Sequence, residues 1–207
     1  MTRRHVRLAA AALVMALTAA CSSGDDSGTG TTDSSTPAEG RVTLRIAAST
    51  QSGGYPQPYA AIRGPGRLIT TYIFDTLAFP DVTGTPRPWL AKSWTSSPDG
   101  KTWTFTLNDN VKFHDGMPLT SDDVKFTFDY NLTGPGNAAG AAQGVTYIDT
   151  VTAPDPKTVV IQLKTVRPSF LNDIAGTFGF AIMPKHIWSS VTDPAKFQGP
   201  TAIIGSD

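Results

Sequence analysis

The sequence contains one cysteine, Cys21, so the chain can form neither an internal disulfide nor a thiolate metal cluster. Long hydrophobic runs are missing too. The longest, Leu8 to Ala20, is about a dozen residues, short of the roughly 20 that a bilayer-spanning helix needs. Neither charge dominates, with 17 basic and 17 acidic residues. No G-x-S-x-G, H-E-x-x-H or recognisable triad is present, which leaves a secreted hydrolase as a distant alternative only. Gly64 and Gly66 in R-G-P-G-R-L precede a predicted helix, but Pro65 removes a backbone donor and no Gly-Lys-Ser/Thr follows. A turn leading into a helix is expected there, and no nucleotide cradle. The three histidines, His5, His114 and His186, lie far apart in the chain. Asp115 is expected to hold its neighbour His114, and His186 to help start a helix. No catalytic residue, metal site or cofactor is expected.

What is present begins at the first residue. Arg3, Arg4 and Arg7 precede the apolar run, which ends in L-T-A-A-C, small residues leading into Cys21. This is the layout of a signal peptide. The cysteine sits where a thiolate takes up diacylglycerol, and L-T-A-A-C resembles the bacterial lipobox, with Thr18 where Leu is commoner. Residues 1–20 are therefore expected to be removed, leaving a lipidated Cys21 as the first residue. Arg3-Arg4 also fits a twin-arginine signal but lacks an aromatic residue soon after, so the export route stays open between the two pathways. Without Arg3, Arg4 and Arg7 the mature chain has 14 basic against 17 acidic residues, a net charge of about −3. That is not the electrostatic footprint of a nucleic-acid binder.

Residues 21–40 continue as SSGDDSGTGTTDSSTPAEG after the cysteine, with no aromatic and no large aliphatic residue. Such a segment cannot bury enough surface to offset the entropy of ordering it, and a flexible tether is expected. From Arg41 the patterning changes. V-T-L-R-I-A alternates as a half-buried strand over Arg41–Ala47. A polar loop, STQSGGYPQPY, follows, and R-L-I-T-T-Y-I-F-D-T-L predicts a helix over 67–77. Strands are expected at Trp89–Trp94 and Lys101–Leu107 around the turn S-S-P-D-G, with a short one at Val111–His114. Gly100 and Gly116 suit positive backbone angles in turns. Thr120 is a good N-cap for a helix over 121–132, and Asp122 and Asp123 oppose its dipole. Val124, Phe128 and Leu132 form its expected buried face, and Gly134-Pro135-Gly136 ends it. A hairpin around P-D-P-K joins Tyr147–Ala153 to Thr158–Leu163, followed by helices at 168–174 and 184–190. Trp94, Trp103, Phe105 and Phe113 are expected in the core. Asn131 in N-L-T formally fits a glycosylation acceptor.

The run W-L-A-K-S-W, S-P-D-G-K-T-W-T-F-T-L and V-K-F-H-D-G-M-P-L-T-S-D-D-V-K-F-T-F-D-Y resembles the family 5 extracellular solute-binding proteins. These are the dipeptide, oligopeptide and nickel receptors of ABC importers. The likeness continues through P-D-P-K-T-V-V-I-Q-L and I-M-P-K-H-I-W, so it spans residues 41–207. It implies an α+β, periplasmic-binding-protein-like fold of class II (cluster C), with a mixed sheet, flanking helices and an incomplete first lobe. It also implies capture of a short peptide by lobe closure and delivery to ABC permease subunits. The protein would act extracytoplasmically, held by its lipid to the outer face of the cytoplasmic membrane, at a Gram-positive surface or in a periplasm. Nickel chelates, opines and oligosaccharides are alternative solutes, and a sensory peptide-binding lipoprotein is an alternative role.

Specificity in such a receptor belongs to loops on a rigid scaffold. In G-G-Y-P-Q-P-Y, Tyr55 and Tyr59 offer flat faces with polar tips, and Gln57 offers a donor and an acceptor. The family's loop after the first strand lines the ligand cleft, which supports that choice. Asn137 and Gln143 bound a second candidate segment whose small residues permit close approach of a ligand. The resembled receptors are much longer than 207 residues and continue past Ile203-Ile204-Gly205-Ser206, so a truncated or split product is expected, with apolar surface exposed where a second lobe would sit. Half a clamp binds weakly. Purified residues 22–207 are accordingly expected to fall short of micromolar peptide binding in calorimetry, and a cooperative melt with micromolar binding would overturn this.

Overall fold

The computed structural model describes residues 58–59, 70–136, 145–176 and 180–197. Its elements, in chain order, are β1 (Ala78–Pro80), β2 (Pro86–Pro88), β3 (Ala91–Ser96), β4 (Thr102–Leu107), α1 (Ser121–Leu132), β5 (Ile148–Asp155), β6 (Thr158–Leu163), α2 (Phe170–Ile174) and α3 (Lys185–Trp188). A 3-10 turn at Val145–Tyr147 leads into β5. β1 and β2 pair as a small ribbon, and the other strands form a four-stranded sheet in the order β3-β4-β6-β5. Every strand pairing among the described residues is antiparallel. The strand expected at Arg41–Ala47, which would make the sheet mixed, lies outside them, as do residues 1–40.

Period-two alternation explains the sheet. Phe105 pairs with Trp94 on one side and Val159 on the other, and Trp103 pairs with Ile161, itself opposite Val151. These rows share one face, because successive side chains of a strand point to opposite sides. Phe105, Val159 and Ile161 are fully buried. The next row, Thr95, Thr104, Val160 and Thr152, faces the other way. Helices cover the apolar face. α1 inserts Val124 and Phe128, and Phe128 meets Phe180 at 5.3 Å. α2 inserts Phe170, 5.2 Å from the Trp103 ring.

The turns behave as their chemistry demands. Gly100 has φ +67° and closes the β3–β4 turn by donating to the Ser97 carbonyl at 2.9 Å. Gly116, at φ +86°, does the same for the Phe113 carbonyl at 2.8 Å. Side chains at either position would be strained. α1 begins where predicted. Asp123 Oδ2 accepts from the Thr120 backbone N–H at 2.9 Å and from its hydroxyl at 3.0 Å. Its first turn is also fixed to the β5–β6 turn, with Ser121 N–H donating to the Pro156 carbonyl at 3.0 Å.

Four expectations need correction. The helix predicted over 67–77 does not reach that far. Helical bonding ends with Ile73 and Phe74 N–H on the Thr70 carbonyl. Beyond it, the Asp75, Thr76 and Leu77 carbonyls accept from Ile182, Leu90 and Ala91, so tertiary bonding claims the backbone. The first long strand starts at Ala91 instead of Trp89, since Trp89 sits in a bend with its N–H on the Ala91 carbonyl. Val111–His114 contributes only an isolated bridge, Lys112 to Pro118. The helix expected over 184–190 is the single turn α3. The ribbon β1–β2 was not foreseen.

Thr127 is the test of how the layers hold. Its hydroxyl accepts from Met183 N–H at 2.9 Å and donates to the Asp123 carbonyl at 2.8 Å, fully buried. Thr127→Val keeps the volume and leaves that N–H without its acceptor, so a loss of about 1–3 kcal/mol is expected. A lower urea midpoint at unchanged slope would show it, and an unchanged midpoint would refute it.

Candidate functional site

α1 buries two faces. Val124 and Phe128 enter the sheet core, while Asp123, Thr127 and Asn131 form a buried polar stripe. These three are spaced i, i+4 and i+8, so they lie one above another on the helix. Each takes a partner from elsewhere in the chain. Asp123 Oδ1 accepts from Lys185 N–H at 3.0 Å, Thr127 accepts from Met183, and Asn131 Oδ1 accepts from the Tyr59 hydroxyl at 3.1 Å. Asn131 Nδ2 donates in turn to the Thr127 carbonyl at 2.7 Å. At 3 % exposure Asn131 is no glycosylation acceptor in the folded chain.

Around the top of the stripe sits an aromatic cluster. The Tyr59 ring lies 5.7 Å from Tyr130 and 5.4 Å from Trp188, and Trp188 meets Phe197 edge-on at 4.9 Å. The Tyr130 hydroxyl donates to the Val191 carbonyl at 2.7 Å. Gly136 completes the packing. A Cβ there would stand 2.8 Å from Tyr130 Cδ1 and 2.9 Å from both Cε1 and the hydroxyl of Tyr59. Beside the cluster, at the C-terminal end of α1, an open cavity of about 210 Å³ is lined by Asn131, Asp129, Thr133, Val145, Asp149 and Lys164 among others.

The structure thus brings Tyr59 against Gly136. In the sequence Tyr59 closes the first candidate segment, and Gly136 and Val145 flank the second. Tyr59 itself differs from expectation. Its ring is enclosed at 7 % exposure and its hydroxyl is held by Asn131, so it offers packing where an open face was expected. Tyr55, Gln57, Asn137, Gln143 and the lipidation candidate Cys21 lie outside the described residues. The reading from residue types missed Asn131 and Gly136. A polar residue at every fourth position of α1, Asp123, Thr127 and Asn131, was the available signal.

Asp115 has a partner that was not expected, His186. Its Oδ2 meets His186 Nε2 at 2.7 Å, with the His186 ring edge-on to Phe113 at 6.0 Å. Partial desolvation works against the Asp115 carboxylate, but the Met117 N–H and His186 outweigh it, and the carboxyl sits below its ordinary value. Among the described residues no group of three or more His, Cys, Asp or Glu could hold a metal ion. No helix among them is long and apolar enough to cross a membrane.

The layout, an antiparallel sheet roofed on one face by helices, is shared with solved periplasmic binding proteins. The A. tumefaciens R10 protein AgaA, solved with agropinic acid, superposes with a TM-score of 0.61 at 30% identity, over 73% of this chain and 30% of that one. Brucella suis NikA, solved with Fe(III)-EDTA, gives 0.60 at 26% identity over the same shares. In sequence, a putative ABC transporter peptide-binding protein of Brucella ovis is 37% identical over 156 residues, covering 70% of this chain and 28% of its own length. The profile of the bacterial extracellular solute-binding proteins, family 5 middle region, matches residues 85–207. The chain belongs to that family, and spans a little over a quarter of the Brucella ovis relative.

Burial raises the tyrosine phenols of the cluster. Tyr59 is pushed well above its ordinary 10.0, chiefly by desolvation, and Tyr130 up to about 12, by desolvation and then by Asp193. The unfolded chain therefore releases these protons first, and stability falls as pH rises past about 10. In a spectrophotometric titration, Tyr59 should form phenolate only as the fold is lost, and Tyr130 in the folded chain only near its raised value of about 12. Equal phenolate absorbance in the protein and its Tyr59→Phe variant after unfolding would contradict the count, and ionisation of Tyr59 in the folded chain would contradict its enclosure.

Proposed function

We propose that this chain is the N-terminal part of the extracytoplasmic solute-binding component of an ABC importer, and that its solute is a short peptide. The observation that carries this is the family match over 85–207, on a fold shared with periplasmic binding proteins. The peptide preference is supported by the Brucella ovis relative, described as a putative peptide-binding protein. A receptor for a metal chelate or an agropinic-acid-like solute is the second reading, favoured by the structural likeness to NikA and AgaA. In either reading the solute is captured by closure of two lobes, the hinge motion of such receptors, and passed on to permease subunits. The protein breaks no bond in the solute.

Within this proposal Tyr55 and Gln57 on one segment, and Asn137 and Gln143 on the other, contact the solute. Tyr59 holds the first segment to α1. Cys21 carries the lipid, with residues 1–20 as the signal and 21–40 as the tether, and keeps the receptor at the outer face of the membrane. The body from residue 41 is the binding domain.

Calorimetry of the full chain with trialanine and with Ni(II)-L-histidine tests the solute class. Weak binding of trialanine, short of micromolar affinity, is expected of a chain that spans little more than a quarter of the relative it matches. Binding of the chelate alone would transfer the proposal to the second reading, and binding of neither would sink both. Cys21→Ser should move the protein from the detergent phase to the aqueous phase on Triton X-114 partition, and partition unchanged from wild type would remove the anchor from the proposal.

A further inference from the structure

The cavity at the C-terminal end of α1 carries charges that run against the usual pattern of a helix end. A helix ends in unpaired carbonyls and the negative end of its dipole, where a basic side chain is stabilising and an acidic one is not. α1 has no basic residue in its last turn, and Asp129 stands there instead. The ion-pair partner of Asp129, Lys125, lies one turn back, and the two side chains are 40 % and 44 % exposed. With the lysine N-terminal to the acid, this is the weaker order for such a pair.

A second carboxylate reaches the same cavity from the sheet. β5 carries a bulge at its start, where Ile148 pairs with Leu163 and Thr150 with Gln162, so Asp149 has no partner across the ladder. Such an extra residue bends the strand and re-aims its side chain. Asp149 lines the cavity together with Asp129. Against these two carboxylates the lining offers one cation, Lys164, whose ammonium already donates to the Thr146 carbonyl at 2.7 Å. The lining side chains therefore carry one negative charge in excess, and the helix end adds to it. None of this helps α1 to form. Breaches of a local rule concentrate where a site gains by them.

We propose that this cavity binds a small organic ammonium ion, held by Asp129 and Asp149, which restores the charge balance at the end of α1. The proposal goes beyond the proposed function and does not rest on it. Volume sets the size of the ligand. The cavity of about 210 Å³ has room for about seven waters at roughly 30 Å³ each, which suits an amine of a few non-hydrogen atoms. A metal ion fits less well, since no group of three or more His, Cys, Asp or Glu among the described residues could hold one. The cavity is open and its charges are screened by water, so binding is weak and falls further with salt.

An NMR titration of the full chain at low salt, with ethanolamine as the ligand, tests the site. The amide signals of Thr133, Asp149 and Lys164 should shift and saturate at millimolar ethanolamine. Ethylene glycol, of similar size but uncharged, should leave them in place. Asp149→Asn should weaken ethanolamine binding roughly two- to fivefold, the effect of one exposed ion pair. Lys164→Gln removes the opposing charge and keeps a donor for the Thr146 carbonyl. It should tighten binding by a similar factor, whereas mere disturbance of the cavity would weaken binding in both variants. No saturable shift, an equal response to ethylene glycol, an unchanged midpoint in Asp149→Asn, or weakening in Lys164→Gln would each overturn the proposal.

Discussion

The buried polar stripe on α1 is the constraint from which the rest of the architecture follows. Asp123, Thr127 and Asn131 face away from the sheet and away from water, and a buried polar group left unpaired is costly. Each therefore has to be met by a donor from another part of the chain. Lys185 N–H, Met183 N–H and the Tyr59 hydroxyl supply them. Two of these are backbone groups of the segment leading into α3, so that segment has one register against α1. A shift of one residue would place a donor where no acceptor waits. The stripe thus fixes position, while the apolar face of α1 supplies the burial that drives the packing.

That division of labour explains why α1 can be buried on two sides without being hydrophobic throughout. Its sheet side is apolar and packs against strands whose inward rows are Phe105 with Val159 and Trp103 with Ile161. Its other side is polar at one spacing and aromatic at the next, with Tyr130 adjacent to Asn131. The two faces belong to separate clusters. One is centred on the sheet, and the other gathers Tyr59, Tyr130, Met183, Trp188 and Val191. α1 is the wall between them, and Ser121 ties its first turn to the β5–β6 turn.

The helices and hairpins that follow a local pattern were legible in the sequence, and the contacts that cross the chain were not. α1 was read to the residue, because Thr120, the acidic first turn and the G-P-G stop are all local signals. The β5–β6 hairpin and the Gly100 turn were legible for the same reason. By contrast, Asp75 and Leu77 look helical by spacing, but their carbonyls are claimed by the distant Ile182 and Ala91 N–H groups. Asp115 beside His114 suggested a local pair, while its partner is 71 positions away. Of the candidate solute residues only Tyr59 falls among those described. Its enclosure by Asn131, Gly136 and Trp188 could not be inferred from its neighbours in sequence.

Two long-range polar links now stand in contrast. His186–Asp115 joins α3 to the Gly116 turn, but both side chains remain a quarter or more exposed. Pairs so open to solvent contribute little, on the order of 0–1 kcal/mol, because water and salt screen them. Tyr59–Asn131 spans a similar distance in sequence and is almost fully enclosed. A group so buried is costly to leave without its partner, so the bond penalises displacement of either end. The enclosed link therefore constrains the fold where the open one does not. It fixes Tyr59 against α1, while an exposed pair such as His186–Asp115 can vary at small cost to the fold.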